Sequence, residues 1–340
     1  MNLGVAAAVV DGVLVPGGLE IVGDLVGAAG LPGTGSGIAV PGFVDLQVNG
    51  FAGVEFLGTD LDGYRRAGAA LLATGVTAFQ PTFITAPEAD LVAAVAALPV
   101  AGIGPRVLGG HLEGPFLSPD RLGAHPAVAR RDPDRALLAR LLMAGRVAQV
   151  TLAPELPGAL ELIELLHARG IVVSFGHSNA TADEARLGFE QGVATVTHLF
   201  NAMRPFRHRD PGLAGAALAD ERIDVQLILD GVHLAEETEL FVLKAAAGRI
   251  AVVTDAVAGA TRRPDGVLAG GSSTMLESFR RLVSLGATID EAAAATSSVA
   301  ARIARRPDLG TLRPGGAADV LVLDDRLELE RVVVAGVDAL

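Results

Sequence analysis

Short β-branched runs alternate with Ala/Leu-rich stretches of helical period along most of this 340-residue chain. From Pro41 onward the runs fall at 43–47, 76–80, 106–111, 148–152, 171–175, 193–197, 225–229 and 250–254, eight in all. Between them the pattern predicts helices over Asp60–Thr74, Glu88–Ala97, Asp134–Met143, Ala159–Ala168 and Thr181–Gln191. In the fourth, Leu160, Ile163 and Leu166 recur at helical spacing and Gly170 ends the segment. Strands that alternate with helices pair in parallel through right-handed crossovers. Eight repeats predict closure into an α/β fold, a (β/α)8 barrel of the TIM type. The rival, an open doubly wound sheet, needs a glycine-rich phosphate loop after its first strand, and here that strand runs into DLQVNG. Residues 1–40 and 311–340 lie outside the repeats and carry short β-like runs. The two ends are expected to pair into a small β-sandwich domain beside a barrel of residues 41–310.

A barrel presents its chemistry where strands end and the following loops begin. The first strand here ends in Asp45-Leu-Gln47-Val-Asn49, and the third is followed by His111-Leu-Glu113. His177 closes the fifth, His198 follows the sixth, His233 the seventh and Asp255 the eighth. Singly each has an ordinary structural role open to it: a hydrogen-bonded histidine, a capping carboxylate or an Asx turn. Their recurrence at one end of one barrel points to a shared site. Two imidazoles and a carboxylate, Glu113, His177 and His198, leave a coordination position open to water, as catalytic metal sites do.

The rest of the sequence narrows the chemistry. With no cysteine in the chain, disulfides and Cys-based metal or redox sites are excluded. A net charge of -12 argues against general nucleic-acid binding, though a few local Arg and His can still hold a small anion. The apolar N-terminus lacks a basic leader region and is interrupted by Asp11, so it reads as a buried strand; no apolar run reaches membrane-helix length. A soluble, cytoplasmic protein is expected. His167 reads as a surface residue of an outer helix, His208 as a loop residue, and His111 as a group that packs or orients the loop of Glu113. Asp45 is left open between supporting the site and a structural role at the strand end.

The ordered segments PGFVDLQVNG (41–50), HLEGPF (111–116), GHSNA (176–180), THLFNAM (197–203), DGVH (230–233) and VTDA (253–256) resemble those of the N-acetylglucosamine-6-phosphate deacetylases of the amidohydrolase superfamily. The resemblance spans nearly the whole barrel. It implies metal ligation by Glu113, His177 and His198, and an acid/base role for Asp255. His125, in LGAHPAV, is implied to sit near the scissile acetamide carbonyl. Asn201, Ala202 and His233 are implied contacts to the sugar phosphate. Arg209 is implied to reach the neighbouring subunit's site in a homodimer. Where many amidohydrolases carry His-x-His for a second metal, this chain has Gln47 and Asn49, amides that bind a transition ion weakly and at most hold a water. One divalent ion per subunit is therefore expected, zinc first, with Fe2+, Co2+ or Mn2+ as alternatives. The implied reaction is hydrolysis of N-acetylglucosamine 6-phosphate to glucosamine 6-phosphate and acetate by a metal-activated water. Deacetylation of N-acetylgalactosamine 6-phosphate or a related amide, and a weakly catalytic sugar-phosphate-binding protein, are the alternatives. The segment between Asp255 and the GGSSTM run is shorter than is usual where family members carry a β-hairpin. A shortened lid would open the site to other N-acylated amino-sugar phosphates.

Overall fold

The computed structural model describes residues 1–33 and 35–340. Eight parallel strands form the barrel: β1 (Phe43–Val48), β2 (Val76–Ile84), β3 (Gly110–Glu113), β4 (Val147–Leu152), β5 (Val172–Phe175), β6 (Thr195–Val196), β7 (Asp224–Leu227) and β8 (Ile250–Val252). Each pairs with the next in sequence, for example Ile84 with Glu113 and Thr151 with Ser174. The last gap, between β8 and β1, has no continuous ladder. It is bridged at Val48 and Ala256, where the N–H groups of Asn49 and Gly50 both donate to the Ala256 carbonyl. The rival open sheet is thereby excluded, and the expected barrel is nearly closed.

The expected helices form as α1 (Leu61–Leu72), α2 (Glu88–Ala96), α3 (Arg135–Ala144), α4 (Ala159–His167) and α5 (Ala182–Glu190). Asp60, Asp134 and Thr181, read as first helical residues, are instead the N-caps, whose side-chain oxygens accept otherwise unpaired backbone N–H groups. Later come α6 (Gly212–Ala219), α7 (Glu236–Ala245) and α8 (Met275–Ser284). Phe79, Phe83 and Phe175 from the strands and Leu71, Leu138 and Leu166 from the helices share one core. Each such fully buried side chain contributes roughly 1.5–3 kcal/mol.

Two further sheets come from the chain ends. In one, Asn2–Leu3, Gly18–Val22 and Leu25–Leu31 are antiparallel. In the other, Val320–Leu323 from the C-terminal end lies beside Ile38–Pro41, which in turn pairs with Ala7–Val10. Leu19, Ile21 and Val26 of the first sheet pack on Ala8, Ala39 and Val320 of the second. Among the described residues no helix is long and apolar enough to cross a membrane.

Candidate metal centre and active site

β3 places Glu113 at its C-terminal end, and the loops after β5 and β6 bring His177 and His198 to meet it. Glu113 Oε1 lies 3.1 Å from His177 Nε2 and 2.8 Å from His198 Nε2, and the two nitrogens are 3.1 Å apart. Ligands of a tetrahedral zinc at about 2.0–2.1 Å lie about 3.3 Å from one another. The three atoms therefore fit three corners of such a site with only a small expansion. Buried Glu113 meets a desolvation cost for its charge, but the imidazoles of His125, His177 and His198 around it outweigh that cost and hold the carboxyl well below its ordinary range.

Hydrogen bonds to the far ring nitrogens decide what His177 and His125 offer. His177 Nδ1 lies 2.9 Å from the Arg121 carbonyl, which can only accept. Nδ1 therefore carries the proton and Nε2 keeps its lone pair for a metal. His125, whose Nε2 lies 3.5 Å from Glu113 Oε2, belongs to the same group of potential ligands. Its Nδ1, however, accepts from the Thr85 backbone N–H at 3.2 Å, with the Thr85 hydroxyl 2.9 Å away. Neutral His125 thus presents Nε2–H, a donor and not a ligand. Burial, reinforced by the neighbouring His177, pushes its pKa down to about 4 and keeps it neutral.

His177, His198 and Asp255 have φ of 48°, 28° and 49°, the left-handed region that non-glycine residues seldom occupy. Such backbone stores of order 1–3 kcal/mol per residue and clusters where side chains must be aimed. Nothing in the sequence announces it. The loop after His177 is tied down by Glu155, which accepts from Ser178 Oγ at 2.8 Å and the Asn179 N–H at 2.6 Å. Glu155, Thr85 and Arg121 were not singled out from the sequence, because their partners lie 23 to 56 residues away.

Gln47 and Asn49 are both engaged: Gln47 Nε2 donates to Glu113 Oε1 at 3.0 Å, and Asn49 Nδ2 donates to Asp255 Oδ1 at 2.7 Å. Asp255 is half-buried, and desolvation together with the nearby Glu113 charge pushes its pKa up to about 8. Asp45, left open above, accepts from the Thr254 hydroxyl at 2.5 Å and from the N–H groups of Thr254 and Gln47 at 3.2 Å. It fastens the incomplete seam between β1 and β8, one residue before Asp255. His111 lies beneath, 2.7 Å from Thr151 Oγ1 and 3.3 Å from Thr82 Oγ1, and burial lowers its pKa to about 4.

These groups open into a cavity of about 590 Å3 that Asn201, Ala202 and His233 also line. His233 is oriented by Asp230, whose carboxylate lies 2.9 Å from Nδ1 and also accepts from Ser272. Arg209 and His208 are exposed, and Arg209 does not line its own chain's cavity. His167 ends α4 and is half-buried, so its reading as a surface residue holds only in part.

The shortened segment after Asp255 does retain a hairpin. The Ala269 N–H donates to Thr261 O and the Arg263 N–H to Val267 O, both at 2.8 Å, and Arg263-Pro264-Asp265-Gly266 makes the turn. Pro at the second turn position and Gly266 at φ 86° fit a tight turn with a left-handed fourth residue. The hairpin lines the cavity.

A parallel barrel with a buried Glu/His/His group and a neighbouring aspartate at one end defines a class of hydrolase. Residues 38–338 match the Amidohydrolase family. N-acetylglucosamine-6-phosphate deacetylase of Homo sapiens is 36% identical over 89% of this chain and 83% of that protein. N-acetylgalactosamine-6-phosphate deacetylase of Escherichia coli O157:H7 is 32% identical over 87% and 86%. An aspartate-to-alanine variant of N-acetyl-D-glucosamine-6-phosphate deacetylase from Mycobacterium smegmatis, in complex with N-acetyl-D-glucosamine-6-phosphate, superposes with a TM-score of 0.94. It is 34% identical, with 100% of this chain and 99% of that one covered. The fold and site are those of a metal-dependent hydrolase acting on carbon–nitrogen bonds. Within that class, the chain belongs to the N-acetylglucosamine-6-phosphate deacetylase family.

Proposed function

We propose that the chain hydrolyses the acetamide of N-acetylglucosamine 6-phosphate, releasing acetate and glucosamine 6-phosphate. The observation that carries this reading is the meeting of Glu113, His177 and His198 beside Asp255 in one cavity. In it Glu113, His177 and His198 hold one divalent ion, zinc in the first instance, with Fe2+, Co2+ or Mn2+ able to substitute. A Lewis acid bound there activates water and polarises the acetamide carbonyl. Gln47 and Asn49 stand where a second ion would need ligands, and their amides are committed to Glu113 and Asp255.

Asp255, aimed by Asn49, takes a proton from the attacking water and returns one to the departing amine. A pKa of about 8 suits a group that must both accept and donate near neutral pH. The Nε2–H of His125, set by Thr85, donates toward the acetamide oxygen and supports the negative charge that develops there. Asn201, Ala202 and His233 bind the sugar-phosphate portion, whose binding energy positions the acetamide. Arg209, exposed and outside its own cavity, serves the neighbouring site of a homodimer. Residues 41–310 form the barrel domain, and 1–40 with 311–340 a small β domain. The enzyme works in the cytoplasm.

The second reading, N-acetylgalactosamine 6-phosphate as substrate, is favoured by the similarity to the Escherichia coli O157:H7 deacetylase of that sugar. Acetate release from both sugar phosphates and their unphosphorylated counterparts separates the readings. The account expects the glucosamine derivative to lead and Asp255→Asn to lose turnover by roughly 10²–10⁴-fold with its metal retained. Preference for unphosphorylated sugars, or full activity in Asp255→Asn, would refute it.

A further inference from the structure

The acid/base and ligand groups account for the floor of the cavity, but its rim carries charge that they do not use. Besides its imidazoles, the cavity is lined by two positively charged side chains among the described residues, Arg262 and Arg263. Both sit on the hairpin after Asp255, next to a turn that fixes their backbone. The chain's single lysine, Lys244, lies elsewhere, on α7.

Arg263 reaches across to the loop that carries His125. Its Nη1 donates to the Ala124 carbonyl at 3.3 Å, while Nη2 lies 3.2 Å from Asp265. That loop packs close to the expected phosphate end. A Cβ built on Gly123 would meet His177 Cε1 at 3.4 Å and Ala202 Cβ at 3.6 Å. Arg263 is thus joined to Ala124, which sits between Gly123, close to His177 and Ala202, and His125. Arg262 donates to Gly266 O within the hairpin at 2.8 Å, with no carboxylate partner among the described residues. The Arg263–Asp265 pair is half exposed on both sides, the kind of ion pair that contributes little and exchanges readily for a better anion. A phosphate offers a guanidinium several oxygens and a fuller negative charge.

We propose that Arg262 and Arg263 form a phosphate clasp supplied by the same chain, setting the preference for phosphorylated over unphosphorylated N-acetyl amino sugars. This deepens the deacetylase reading and rests on it. The clasp acts on substrate binding: it lies on the hairpin that lines the cavity and takes no part in proton transfer. It also gives the short hairpin a use, since it carries charge to the cavity.

The test compares wild type with the double variant Arg262→Gln/Arg263→Gln and with Arg263→Lys. For each, kcat and KM are measured on N-acetylglucosamine 6-phosphate and on N-acetylglucosamine, together with binding of the products glucosamine 6-phosphate and glucosamine. The double variant should raise KM for the phosphorylated substrate by roughly 10- to 100-fold. Its kcat should stay within about threefold, and kinetics on the unphosphorylated sugar should not change. Arg263→Lys, which keeps the charge and loses the fork, should fall between. An unchanged KM, or an equal loss on both sugars, would overturn the clasp. If wild type prefers the phosphorylated sugar and the double variant keeps that preference, the clasp alone fails. A wild type with no such preference removes the substrate reading and the clasp together.

Discussion

Asp45 illustrates how one side chain can serve both stability and the site. Burial pushes its pKa up from 3.8 to about 7, although hydrogen bonds from Thr254 and Gln47 pull it back. The folded protein then holds a proton there that the unfolded chain releases. Stability from this group is full below pH 4 or so and is lost as pH rises to about 7, a change of roughly 4 kcal/mol in all. Asp45→Asn keeps the shape of the protonated acid and removes the titration. Urea unfolding at pH 4.5 and 7.5 should show wild type losing more stability over that interval than the variant. Parallel pH profiles would contradict this account. The position of Asp45 at a strand end was legible in the sequence, but its purpose was not, because Thr254 lies 209 residues away. Glu113, His177 and His198 were legible because a strand end is marked locally by the run before it. Thr85 and Arg121, which set the imidazole tautomers, carry no such local mark.

At the level of elements, alternating runs located all eight barrel strands, and the differences have identifiable causes. The run at 76–80 stops short of Pro81, which cannot donate to a ladder. β2 nevertheless continues to Ile84, and a register irregularity between Phe79 and Pro81 absorbs the proline. The Pro-Asp-Gly turn was visible in the sequence, but comparing segment lengths obscured it, so the hairpin was expected to be reduced more than it is. The polar side chains Gln149, Thr151, Ser174 and Thr197, buried between strands, went unnoticed because hydrophobic periodicity registers only their apolar neighbours. The loop after β5 carries a prediction. With Glu155→Ala, Ser178 and the Asn179 N–H lose their acceptor, and the strained backbone of His177 loses its restraint. Metal affinity, read by chelator competition, should weaken roughly 10–100-fold, the usual cost of removing a group that orients a ligand. Thermal unfolding of the metal-free protein should change far less. Unchanged metal affinity would show that the loop holds His177 without Glu155.

The whole molecule brings residues from 45 to 255 to one end of a barrel whose last seam is incomplete, and the two chain ends meet in sheets alongside. The fold class was readable from the count and alternation of elements, which are global features of the sequence. The nearly closed seam was not, because it depends on a bridge at Val48 and Ala256 and on one carboxylate. The account's central claim is a single-ion deacetylase built on Glu113, His177 and His198. The most direct test is acetate release from N-acetylglucosamine 6-phosphate after chelation and stepwise return of zinc. The account predicts loss of activity on chelation and recovery complete at one ion per chain. Activity that survives chelation, or that returns only with a second tightly bound ion, would contradict it.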